Sequence, residues 1–201
     1  MIPAQSDLAG QVMSQLSPAD LGAIARRLGV GEEHAGAAVE QALPLLLGGL
    51  ARNAASDEGA GALFGAVRRD HQDLDLGSVL GSVLGGGGAG GGILGHIFGS
   101  RQPQAAQGLG QASGLGTDNA AQLLAMLAPL VMAAIGRMTR EQGLDAGGLG
   151  GLLGQQAPQA AQRSGTGGLV SAVLDRNGDG EVDLGELLQA GSGLLGAFGR
   201  R

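Results

Sequence analysis

Lysine, cysteine, tryptophan and tyrosine are all missing from this chain of 201 residues. Each absence closes a class of chemistry. Without cysteine there is no disulfide, no thiolate nucleophile and no zinc site built on sulfur. Without lysine there is no P-loop lysine and no Schiff base, whatever the glycines suggest. The 12 basic residues are all arginines, spread out or in isolated pairs such as Arg26-Arg27 and Arg68-Arg69, against 18 acids and a net charge of −6. No basic stripe exists to hold a nucleic-acid backbone. Three phenylalanines are the whole aromatic content. The core must therefore be built from Leu, Val, Ile, Met and Ala, and the expectation is a thin core of modest stability. The start, Met-Ile-Pro-Ala-Gln-Ser-Asp, has no basic residue followed by an apolar run, which places the chain in the cytoplasm by default.

What is present reads as helix. Ser17-Pro18, with Asp20 three residues on, predicts a capped start; Leu21, Ile24, Ala25 and Leu28 mark one apolar face, and Gly29 ends it. A second helix is expected from the acidic turn at Gly31-Glu32-Glu33 through Val39, Leu43, Leu46, Leu47 and Leu50. Pro44 lies inside it and predicts a kink or break near Ala42 to Pro44, because proline removes a backbone hydrogen bond and crowds the preceding turn. A third helix, Glu58 to Arg69, would bury Leu63, Phe64 and Val67.

The same pattern then recurs. Leu28-Gly29-Val30-Gly31 is echoed by Ser113-Gly114-Leu115-Gly116, and Ala42-Leu43-Pro44-Leu45 by Leu127-Ala128-Pro129-Leu130. Pro44 and Pro129 stand 85 residues apart, as do Arg52 and Arg137, and a one-residue insertion then aligns Leu63 with Leu149. A helix over Gln104 to Gln111 would take the place of the one at Asp20 to Leu28. The expectation is an internal duplication of a helical unit. Chance matching in an Ala/Leu/Gly-rich chain is the competing account, and the matched prolines weigh against it.

Between the two units, Gly85 to Gly92 predicts a flexible tether, flanked by Val79, Leu80, Val83 and Leu84 and by Ile93, Leu94, Ile97 and Phe98 at helical spacing. The stretch is nearly uncharged, yet its centre is glycine rather than leucine, so it is not expected to span a membrane. A second linker is expected at Gln155 to Gly168. The organisation is thus 1–72 first unit, 73–100 glycine-rich linker with short helices, 101–154 second unit, 155–168 linker and 169–201 a terminal module.

That module carries the most specific signal in the chain, Asp175-Arg176-Asn177-Gly178-Asp179-Gly180-Glu181-Val182-Asp183-Leu184-Gly185-Glu186. Oxygen side chains fall at loop positions 1, 3, 5, 9 and 12, with a glycine at position 6 where the backbone must turn sharply; this is the EF-hand pattern. Asp175, Asn177 and Asp179 would give side-chain oxygens, Glu181 its carbonyl, Asp183 a water-bridged contact and Glu186 both carboxylate oxygens to Ca2+. Leu169, Val170, Val173 and Leu174 suit an entering helix, and Leu184, Leu187, Leu188, Leu195 and Phe198 one face of an exiting helix. An acidic surface turn that holds no ion is the competing account. Gly185 and the single copy of the loop point to weak binding.

The rest of the chemistry is thin. His34, His71 and His96 sit in separate segments with no second ligand at metal spacing, so solvated histidines are the expectation. No serine lies in a Gly-x-Ser-x-Gly frame, and Gly-x-Gly-x-x-Gly matches carry no meaning at this glycine density. Arg52 and Arg137 are expected to terminate their helices by charge–dipole attraction. No catalysis is expected.

Asp20-Leu21-Gly22, Leu28-Gly29-Val30, Ala42-Leu43-Pro44 and Gly48-Gly49-Leu50 together resemble the YidB-like bacterial proteins and the related domain of unknown function 937. Gly91-Gly92-Ile93-Leu94-Gly95-His96-Ile97-Phe98-Gly99 and Glu141 to Leu149 look like that family as well, from about Asp20 to Gly154. The resemblance implies an all-helical bundle and transfers no catalytic residue. The fold class expected is therefore all-α: two related helical units, a glycine-rich linker and an EF-hand-like helix-loop-helix. The function expected is calcium binding of structural or interaction type, with the C-terminal helix offering a surface to a protein partner or a second copy. The alternative is self-association or membrane-surface attachment through the glycine-rich apolar segments, with calcium incidental.

Overall fold

Helix boundaries follow the punctuation of the sequence. A computed structural model describes residues 8–70, 81 and 89–165, and every regular element among the described residues is helical. After α1 (Leu8–Gln15), Ser17 opens α2 (Pro18–Leu28): its side chain accepts from the Asp20 N–H, and its own N–H donates 2.9 Å to the Asp20 carboxylate. This capping box satisfies two of the donors that a helix start leaves free. Gly29 ends α2 at a φ of 69°, which a side chain would strain. Next come α3 (Glu32–Asn53), α4 (Asp57–Asp70) and α5 (Ala89–Phe98), then a 3-10 turn (Gly99–Arg101). The chain continues through α6 (Gln102–Ser113), α7 (Thr117–Gln142) and α8 (Ala146–Arg163).

Several expectations are corrected. Pro44 does not break its helix, since α3 runs without interruption from Glu32 to Asn53. A proline inside a helix costs about 3 kcal/mol. Burial of Leu43, Leu45, Leu46, Leu47 and Leu50, each worth about 1.5–3 kcal/mol, outweighs that cost. The tether shortens, because Ala89 to Gly92 already belong to α5; Gly85 to Gly88 lie outside the described residues, as do Val79, Leu80, Val83 and Leu84. The linker at Gln155 is helical as far as Arg163, with Gln156, Ala157, Ala160 and Ala161 buried on one face. The core is not thin. It is continuous from α1 to α8, carried by leucine and alanine, and the two expected units share it: α8 packs along α3, and α4 packs against α8 and α7.

The 85-residue spacing reappears in the elements. α3 and α7 begin at Glu32 and Thr117, and each carries its proline twelve residues after its first residue. Pro18 and Pro103, in the first turns of α2 and α6, keep the same spacing, and Gly29 and Gly114 end those two helices in the same left-handed conformation. Contacts between the halves are reciprocal too. His34 Nε2 donates to the Ser113 carbonyl at 2.6 Å, while Asn119 Nδ2 donates to the Leu28 carbonyl at 3.1 Å. His34 with Asn119, and Leu28 with Ser113, are both pairs 85 apart. One contact is thus made twice, once in each direction, as happens across a two-fold axis.

Candidate functional site

The residues named from sequence as calcium ligands, Asp175, Asn177, Asp179, Glu181, Asp183 and Glu186, lie outside the described residues, as do Val182, the residues expected to form flanking helices and His71. Among the described residues no three His, Asp or Glu side chains gather where they could hold a metal ion. Arg52 does sit in the last turn of α3, as expected. Arg137 does not end α7, whose last turn carries Arg140; its Nη1 instead donates to Gln15 Oε1 of α1 at 3.5 Å.

What the fold does assemble is a hollow. The C-terminal half of α3, α4, α5 and α7 line a half-open cavity of about 420 Å³ whose lining includes Leu50, Leu63, Ala66, Ile93, Ile97 and Met132. Its polar residues are Asn53 and His96. Asn53 Nδ2 donates to the carbonyl of His96 and, at 3.2 Å, to that of Ile97, so this amide satisfies the open end of α5. A separate cleft of about 240 Å³ is bordered by Arg52, Asn53, His96, Ser100 and Arg101. Sequence reasoning missed it: Asn53 and His96 break the apolar pattern at two helix ends, but nothing in their spacing brings them together.

The corresponding residues of the other half are more deeply buried. At the 85-residue spacing Ile93 corresponds to Leu8 and Asn53 to Met138, and Leu63 aligns with Leu149; Leu8, Met138 and Leu149 are all fully buried, whereas Leu63 and Ile93 remain half-buried and Asn53 exposed. The cavity is a departure from the pattern the halves share.

Residues 10–138 match the model of the family described as bacterial protein of unknown function, DUF937. The chain belongs to this family. The DUF937 match runs from α1 to Met138 in α7, contains every residue lining the cavity and the cleft, and stops before α8 and the run from Asp175 to Glu186. No curated protein and no solved structure matches the chain. One helix among the described residues, α7, is long and apolar enough to cross a membrane, with a mean hydropathy of 1.6 over its best window. Of that window 78% is buried inside the protein, where its apolar side chains serve as core.

Proposed function

We infer that this DUF937 protein is a non-catalytic calcium-binding protein, a helical body carrying a C-terminal EF-hand-type loop. The single observation behind this is the run from Asp175 to Glu186, with oxygen donors at positions 1, 3, 5, 9 and 12 and glycine at position 6. The body itself is a duplicated unit folded into one core. The reciprocal His34–Ser113 and Asn119–Leu28 bonds and the shared proline spacing support that account. Ca2+ orders the last thirty residues, and Leu184, Leu187, Leu188, Leu195 and Phe198 then meet either the body or a second copy of the chain.

Calorimetric titration of the full chain with calcium tests this. Wild type is expected to bind one ion; Asp175→Ala with Glu186→Ala abolishes binding and leaves the helicity of Asp20 to Gly154 intact. No heat in wild type at millimolar calcium would remove the proposal, since even the weakest EF-hand modules bind at about 10⁻⁴–10⁻³ M. Hydrogen exchange reads the ordering directly: Leu184 to Phe198 should gain protection with calcium.

A further inference from the structure

We propose that a cleft beside Pro44 is the seat of the chain's own C-terminal segment, with Leu169 and Val170 entering it where α8 ends. The cleft, of about 190 Å³, is lined by Ala9 and Met13 of α1, Leu43 and Pro44 of α3, and Ala160 and Ser164 of α8. Leu169 and Val170 lie outside the described residues. Docked there, they fix where everything from residue 169 onward stands relative to the body. The proposal goes beyond the calcium reading and does not depend on it.

Three observations carry it. First, the described chain ends at this cleft: Ser164 lines it, Gly165 comes next, and residues 166–201 follow. Leu169 stands four residues beyond Gly165, a reach of about 14 Å even when fully extended. Thr166, Gly167 and Gly168 intervene, so Leu169 and Val170 are the first large apolar side chains after α8 and are held to the neighbourhood of the cleft.

Second, α8 ends in a way that turns the chain back. Gly165 has a φ of 67°, and its N–H donates to the Gln162 carbonyl at 3.4 Å. Gly29 and Gly143 end α2 and α7 with the same kind of bond, to Arg26 and Arg140. There the next residue, Val30 or Leu144, donates its N–H back to Ala25 or Thr139 and is half-buried. Leu115, after the left-handed Gly114, is buried outright. Left-handed helix ends thus return the following apolar residue to the bundle, as the hydrophobic contact of this cap requires. After Gly165 the residue in that role is Leu169.

Third, the charges agree. The run from Gly165 to Leu174 carries none, so it can lie in a cleft that also holds Glu40 without adding a second acid. The residues preceding α1 offer Asp7 first, which would add one.

The test is disulfide trapping in the full chain, which has no native cysteine to compete. Ala9→Cys with Leu169→Cys should close within one chain on mild oxidation. It should do so about tenfold faster than Ala62→Cys with Leu169→Cys, whose first cysteine lines the larger cavity and whose rate a free tether alone would set. Both pairs are oxidised in EDTA, so failure of the loop to bind calcium leaves trapping unchanged, and failure to trap leaves the calorimetric result standing. A second readout needs no cysteine. In the chain labelled with methyl-13C methionine, Leu169→Ser with Val170→Ser should shift the methyl of Met13, which lines the cleft, and leave those of Met126, Met132 and Met138 in place. An unmoved Met13 methyl or equal trapping of the two pairs would overturn the proposal. So would faster trapping of Ile2→Cys with Ser164→Cys, which would put the N-terminus in the cleft, or disulfides formed between chains, which would make it an interface with a second copy.

Discussion

The two halves of the bundle meet the same difficulty, a proline in the middle of a buried helix, and resolve it differently. Pro129 in α7 leaves the Ala125 carbonyl without its helical donor, and α5 closes over it at Gly90, where a Cβ would stand 1.9 Å from that oxygen. Pro44 in α3 frees the Glu40 carbonyl, yet Glu40 and Pro44 border a cleft of about 190 Å³ together with Ala9, Gly10 and Met13 of α1. One side is sealed by a glycine and the other stays partly open. A repeated sequence pattern therefore fixes where the prolines sit, while the covering helix decides what each proline does to its surroundings.

Adding a side chain on each side breaks that comparison most sharply. Gly90→Val should cost about 3 kcal/mol or more, because the Ala125 backbone cannot yield as a flexible side chain would. Gly10→Ala, on the exposed face of α1, should gain up to about 1 kcal/mol through helix propensity. Thermal and urea unfolding of the two variants measure the contrast, and equal losses would remove the distinction between a sealed and an open proline. A smaller contrast concerns the reciprocal pair. Asn119→Ala, half-buried, should cost about 1.5 kcal/mol, and His34→Ala, exposed, about 0.5 kcal/mol. Smallest is the capping contrast: Ser17→Ala should cost about 1 kcal/mol, whereas Gln102→Ala, at the corresponding place in α6 where no side chain caps, should change stability by a few tenths at most.

Much of the fold was legible in the sequence wherever local chemistry decides a boundary. Ser17 and Asp20 announce a start and Gly29 an end, and Val39, Leu43, Leu46, Leu47 and Leu50 fall on the buried face that their spacing predicts. What the sequence concealed depends on partners distant along the chain. Gln155 to Arg163, glutamine-rich with Pro158, looks like a linker until α3 is brought against its alanines; then Ala157, Ala160 and Ala161 become the side chains small enough for close packing. Gly90 reads as part of a tether for the same reason, since only the Ala125 carbonyl reveals why a side chain is missing there. The cavity was invisible because it depends on incomplete packing among four helices. The residues expected as calcium ligands, between Asp175 and Glu186, were named from spacing alone and lie outside the described residues.

The packing of α8 along α3 has a consequence for how the chain is made. The helix that covers the first half ends at Arg163, more than a hundred residues after α3 ends at Asn53, and the Leu8 N–H donates to Gln156 Oε1 across a separation of 148 residues. At synthesis rates of about 5–20 residues per second, α3 leaves the ribosome on the order of 5–20 s before the surface that buries it exists. During that interval its leucine face is open to any apolar neighbour, including another nascent copy of itself. A chain built this way is most at risk of mispairing while it is still being translated, and a proline in mid-helix that weakens α3 also weakens its ability to pair too early.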